Sequence, residues 1–164
     1  MAKANLIVTF DPTHSTSAKK EIENLVKEIK ETAKILSCEE GLAQVVVKDA
    51  RAIVKALSKI KKDKFAYTFH WIPMDKWCKS TIADMQKVVK DIAKDISAAD
   101  KWKMEISKHK SDLHDKELII KLTEVIDKPK VDLENPDKTV WVEVVGNEAG
   151  IALLKKGDFL KILK

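Results

Sequence analysis

Four stretches of helical period, set between runs of strand-like alternation, narrow the fold of this chain more than any other feature. After Ser15, Thr16 and Ser17, which can cap a helix, Ile22, Leu25, Val26 and Ile29 recur at the spacing of one helix face. Asp49 can cap a second helix whose apolar face is Ile53, Val54, Leu57 and Ile60. Strand formers lie around them: residues 5–10 (NLIVTF), stopped by Asp11-Pro12; residues 42–47, entered through Gly41; and residues 65–72 (FAYTFHWI), ended at Pro73. The order β-α-β-α-β over residues 1–74 fits a split βαβ unit with both helices on one face of a sheet.

A new helical period begins after Pro73. Ser80 or Thr81 caps it, and Ile82, Met85, Val89, Ile92 and Ile96 follow at gaps of three and four. Residues 101–107 (KWKMEIS) alternate, with Trp102, Met104 and Ile106 on one face of a strand and Lys103 and Glu105 on the other. Ser111 precedes a helix built on Leu118, Leu122, Val125 and Ile126, halted by Lys128-Pro129. The stretch KVDLENPDKTVWVEVVGNEAG then promises a hairpin. Val131 and Leu133 would form a short strand, Asn135-Pro136-Asp137-Lys138 a tight turn, and Val140, Val142 and Val144 one face of the next strand. Gly146, Asn147 and Gly150 would make the following turn, before residues 151–154. Trp102 belongs to the core face. Trp141 shares its face with Glu143 and Val145 and is expected to be exposed or covered by a partner, while Trp71 and Trp77 flank the boundary and are expected to pack between the two parts. The chain thus divides into an N-terminal domain, residues 1–74, and a second, residues 75–164, in an α+β class.

Enzymatic chemistry finds no support. The four glycines, at 41, 146, 150 and 157, form no G-x-G, no phosphate loop and no G-x-S-x-G. Four histidines and two cysteines, Cys38 and Cys78, make no metal-binding spacing, so no metal and no cofactor is expected, and no catalytic residue is assigned. Asp11 and His14 share a loop, where a turn-stabilising role accounts for them, and His70 reads as a half-buried strand histidine. No apolar run approaches the length of a bilayer crossing, and MAKANLIVTF is too short for a signal peptide. A cytoplasmic protein with no membrane partner is expected.

Charge is uneven. The net charge is +5, and residues 1–74 hold 13 basic and 9 acidic residues against 18 and 17 in the remainder. Only Arg51 is an arginine. Neither balance makes a nucleic-acid binder, so local patches must carry that case. Lys101, Lys103, Lys108 and Lys110 cluster on and after one strand, with His109 between the last two, and Lys155 and Lys156 precede Gly157. Lysines supply point charges for phosphates without arginine's bidentate fork, so they read backbone and shape more than bases. The alternative is a solvated strand edge guarded by lysines. Lys55, Lys59, Lys61, Lys62 and Lys64, with Arg51 one turn earlier, read as the polar face and last turn of a helix.

Residues 102–154 resemble the THUMP domain, an RNA-binding module shared by thiouridine synthases, RNA methyltransferases and pseudouridine synthases. The resemblance is carried by Lys108-His109-Lys110, by ELIIKLTEVI, and by the valine-aspartate-leucine, asparagine-proline-aspartate and valine-glutamate-valine series in that order. The Ala149-Gly150-Ile151 ending is most similar to the stand-alone archaeal and eukaryotic type that assists cytidine acetylation in tRNA. Residues 1–74 resemble the small ferredoxin-like domain that precedes this module. The resemblance implies a THUMP α/β domain with a mixed sheet, tRNA as partner, and Lys101, Lys103, Lys108, His109, Lys110, Lys155 and Lys156 as RNA-binding residues. Asp132, Asn135, Pro136 and Asp137 are then expected to fix turn geometry rather than touch RNA. Because the chain stops at Lys164 with no room for a catalytic domain, it is expected to present tRNA, through its acceptor end, to a separate modification enzyme, an acetyltransferase. The competing expectation is a protein-interaction subunit with little RNA affinity of its own.

Overall fold

The computed structural model describes residues 3–162. They form two compact units, each with its own sheet: residues 3–74 with 157–162, and residues 75–156.

The first unit opens with β1 (Leu6–Phe10), a 3-10 turn (Pro12–His14) and α1 (Ser15–Glu28). It continues with β2 (Ala33–Glu39), β3 (Leu42–Val47), α2 (Ala50–Leu57), a second 3-10 turn (Lys62–Lys64) and β4 (Thr68–Pro73). Strand order β2-β3-β1-β4, with every pairing antiparallel, is that of a ferredoxin-like βαββαβ unit. The core pairs one face of the sheet (Leu6, Val8, Val45, Trp71) with Ile22, Leu25 and Val26 of α1 and Ile53, Val54 and Leu57 of α2. Asp49 caps α2 by accepting the Ala52 N–H at 3.1 Å. One carboxylate ties α1 to the start of β4: Glu21 accepts the N–H groups of Ala66, Tyr67 and Thr68. The β2–β3 hairpin turns through Glu40 and Gly41, both at positive φ, and a Cβ at Gly41 would meet the Phe10 carbonyl at 3.0 Å.

Three expectations change here. Sequence pattern supplies three strands in this unit, and the structure adds β2 before Gly41. It also adds β9 (Leu160–Lys161), which pairs with β4 through His70 and Trp71. Residues 157–162, expected in the second domain, therefore belong to the first unit and complete its sheet through Leu160–Lys161, because the Leu160 side chain finds its apolar partners there. Trp71, expected at the boundary, is fully buried in the first core, edge-on to Phe65 with ring centroids 6.3 Å apart.

The second unit runs β5 (Lys76–Lys79), α3 (Ile82–Ala93), β6 (Trp102–His109), α4 (Asp115–Thr123), β7 (Lys138–Val145) and β8 (Glu148–Lys155), in the order β5-β8-β7-β6. β6 and β7 are parallel with α4 as their crossover, and the other pairings are antiparallel, so the sheet is mixed. Met104, Val140, Val142, Val144 and Ile151 face Met85, Val89 and Ile92 of α3 and Leu118 and Leu122 of α4. Trp102 joins them, its indole N–H donating to the Lys128 carbonyl at 3.1 Å. Thr81 caps α3 through the Asp84 N–H.

The hairpin sits one strand later than expected. β7 and β8 are its arms and Gly146-Asn147 its turn, while Gly150 lies within β8 opposite Glu143. Val131 makes only a single parallel bridge, to Trp102, and Leu133 is 71% exposed. Val131 and Leu133 lack apolar partners on both faces, so the local alternation does not grow into a strand. Trp141 is buried rather than exposed. Among the described residues no helix is long and apolar enough to cross a membrane.

Candidate nucleic-acid interface

The residues between α4 and β7 form a turn held by its own polar side chains. Asp132 accepts the N–H groups of Glu134 and Asn135 at 3.0 and 2.9 Å, an Asx turn, and a second carboxylate oxygen lies 4.0 Å from Lys101 Nζ. Asp137 accepts the Lys101 backbone N–H at 2.9 Å, and its own N–H donates to the Lys101 carbonyl. Asn135 Oδ1 receives Lys156 Nζ at 2.7 Å. These side chains fix the turn. In doing so they gather Lys101 and Lys156 around it, with Lys155 next to Lys138 in the β7–β8 register. The backbone N–H groups of Asn135 and Glu134 hold the Asp132 carboxyl below its usual range, with the charges of Lys101 and Lys156 adding to the effect. Beside them, Lys138 Nζ and the Ser97 N–H lower Asp100 to about 2.

The far end of β6 is built differently. Lys108 lies on the helix-covered face, where Nζ reaches the Leu113 carbonyl and Asp115 Oδ1, the latter at 2.9 Å. His109 lies on the opposite face, its Nε2 3.0 Å from Glu143 Oε2. Glu143 has no solvent exposure, and its other oxygen accepts the Trp141 indole N–H at 2.8 Å. Lys110 turns out of the strand at φ +56 and is exposed. Lys103, on the face of His109, meets Glu105 at 2.7 Å.

The seven lysine and histidine positions therefore do not share one patch. Lys101, Lys155 and Lys156 gather at the start of β6, and Lys108, His109 and Lys110 at its finish, about 23 Å away at strand rise. Lys103 sits near the first group on the sheet face away from the helices. Two cations that sequence reasoning passed over join the first group: the carbonyls of Lys128 and Lys130 bind Trp102 Nε1 and N, which brings both residues to that end of the sheet. Their signal was the basic pair flanking Pro129, next to the same turn.

Elsewhere the polar residues have structural duties. Asp11 accepts the Thr13 N–H and hydroxyl, while the His14 ring packs on Tyr67 at 5.3 Å instead of pairing with Asp11. His70 Nδ1 is 3.0 Å from Thr9 Oγ1. Cys38 and Cys78 are half-buried thiols whose pKa burial raises. A cavity of about 450 Å³ beside α1 is lined by Lys20, Asn24, Glu28, Lys64 and Tyr67, and the pair Lys64–Glu28 at 2.6 Å closes one side of it. Among the described residues no cluster of three metal-binding side chains occurs.

A mixed four-stranded sheet with two helices, carrying its polar turn before β7, defines the class of domain. Residues 79–154 match the family model of the THUMP domain. Solved structures share this fold. PH1313 from Pyrococcus horikoshii Ot3 superposes on 94% of this chain and 55% of its own, with TM-score 0.67 and 16% identity. TrmN from Thermus thermophilus does so over 90% and 44%, with TM-score 0.59 and 16% identity. A 4-thiouridine synthetase, solved as a complex with RNA and bound ATP, matches 98% of this chain and 42% of its own, with TM-score 0.55 and 12% identity. At such identities the likeness establishes the fold alone, and the chain spans about half or less of each of those proteins. Comparison with curated proteins returned no match.

Proposed function

We propose that this protein is a tRNA-binding adaptor that presents the acceptor end of tRNA to a separate modification enzyme, an acetyltransferase acting at cytidine N4. The match of residues 79–154 to the THUMP domain carries the reading, because that module serves RNA binding in tRNA modification. A synthetase of the same fold crystallised with RNA supports it. The acetylation partner rests on the similarity of the Ala149-Gly150-Ile151 ending to the stand-alone type of the module.

In this reading Lys101, Lys155 and Lys156 supply phosphate contacts at one end of the sheet, and Lys110 does so at the other. Lys101 and Lys156 each exchange a surface partner, Asp132 or Asn135, for a phosphate oxygen, at little cost because both pairs are solvent-screened. Lys103, Lys108 and His109, bound to carboxylates, add field more than contact. Gel shift with total tRNA at rising salt is the test: a complex at low salt that weakens steeply as salt rises is expected. No complex at the lowest salt ends the proposal.

One observation favours a second reading, a protein-interaction subunit with little RNA affinity: Lys103 and Lys108 are already paired with neighbouring carboxylates, Lys101 lies 4.0 Å from one, and His109 is hydrogen-bonded to Glu143. Co-purification of a large partner that nuclease treatment leaves intact, without tRNA binding by the chain itself, would select it.

A further inference from the structure

The outer edge of β6 carries unused strand-pairing capacity. Alternate residues of a parallel strand direct both their N–H and C=O to the same side. His109 sends its carbonyl inward to the Gly146 N–H, whereas Trp102 sends both groups outward, to the Lys130 carbonyl and the Asp132 N–H. Met104, Ile106 and Lys108 share the alternation of Trp102, so theirs point outward too. Beyond that single bridge at Trp102, no strand among the described residues pairs with this side of β6.

Natural edges are usually blunted by free lysines, proline or a bulge. Here the register with β7 is unbroken over eight residues, no proline interrupts it, and Lys103 and Lys108 are both neutralised, by Glu105 and Asp115. An apolar ledge stands above the edge. α4 turns Leu118 and Leu122 to the core, and Gln86 of α3 binds the Lys121 carbonyl and approaches Glu124. At 100° per residue Ile119 falls on the other flank of α4, away from α3 and over the outer side of β6. It is 41% exposed, and Ile120 beside it is 59% exposed.

We propose that this edge joins a second copy of the chain, β6 against β6 in antiparallel register about a two-fold axis at Ile106, with Ile119 packing across the axis. This register pairs Ile106 with Ile106 and Met104 with Lys108, and so uses all three open residues. On the other face it sets Lys103, already paired with Glu105, across from His109, already bound to Glu143, and Glu105 across from Ser107, with no carboxylates opposed. Moving the axis one residue, to Glu105, would place Glu105 against Glu105, which is unfavourable, and any shift in that direction would spend a position on Trp102, whose groups are already bonded. The symmetric edge thus specifies its own partner and register. The inference does not depend on RNA binding.

Sedimentation equilibrium of the full chain, from about 1 to 200 µM, tests it, since a weak dimer shows itself by mass action. The expected mass rises toward twice that of the chain. Ile106→Pro removes an outward N–H without touching the β6–β7 ladder, so the monomer should keep its circular dichroism. Losing two symmetry-related hydrogen bonds should raise the dissociation constant about 30-fold. Ile119→Lys, which leaves the strand intact, should also shift the protein toward monomer. A wild-type chain that stays monomeric over the whole range overturns the proposal, as does a dimer that neither substitution weakens.

Discussion

Both ends of the second sheet carry basic side chains, five lysines at one and Lys108, His109 and Lys110 at the other, and they hold them in different ways. Around the turn that follows α4, Lys101 is half exposed and 4.0 Å from its carboxylate, and Lys156 rests on an uncharged amide. At the finish of β6, Lys108 and His109 are only 22% exposed, and the acceptor of His109 has no exposure at all. A cation on the surface with a long or neutral contact stays available to a ligand. One locked to a buried acceptor serves the fold, because separating it leaves a polar group without water or partner. Residue type is alike at both ends; the burial of the basic side chain itself separates their roles, reinforced at His109 by the fully buried Glu143, whereas Asp115 beside Lys108 is exposed.

The contrast breaks most visibly at Glu143. Glu143→Ala strips the buried Trp141 N–H and His109 of their acceptor and should cost about 3 kcal/mol in urea unfolding, with Glu143→Gln recovering most of it. An alanine variant as stable as the parent would mean the far end is as loosely held as the near one. Next in size, replacing Lys101, Lys155 and Lys156 together by alanine should weaken tRNA binding about 10- to 100-fold at moderate salt. It should also flatten the salt slope by about two to three units, with stability unchanged. Lys108→Ala sharpens the comparison from the other side: a slope change below one unit is expected, since its Nζ is spent on Leu113 and Asp115.

The smallest effect is on pH. Asp100 is lowered from 3.8 to about 2 by Lys138 and the Ser97 N–H, so the unfolded chain takes up this proton first as pH falls. Its stabilisation is present above 3.8 and disappears on the way down to about 2. Melting temperature should fall over that window, and Asp100→Asn should lessen the fall.

Strands in the middle of a sheet were easier to read than those at its rim. β1, β3, β4, β7 and β8 show up as apolar or alternating runs because both neighbours and a helix layer demand it. β2, β5 and β9, which the pattern hid, are all edge strands. β2 reads AKILSCE and is half exposed along its length, β5 has four residues, and β9 has two. β6 is the exception, an edge with interior alternation. At the site, the basic residue types were visible in the chain order but their acceptors were not. Glu143 lies 34 residues from His109, and Asn135 lies 21 from Lys156, so only the folded register reveals which cations are taken.

The small strand Leu160–Lys161 has a bearing on synthesis. It finishes the sheet begun by Leu6–Phe10, yet it is translated only after the whole of the second unit. At ribosomal speeds of about 5–20 residues per second, the first sheet waits several seconds with the side of β4 that will receive it unpaired. Throughout that interval the nascent chain presents an adhesive rim to its neighbours on a polysome, and truncation before Leu160 would make that condition permanent.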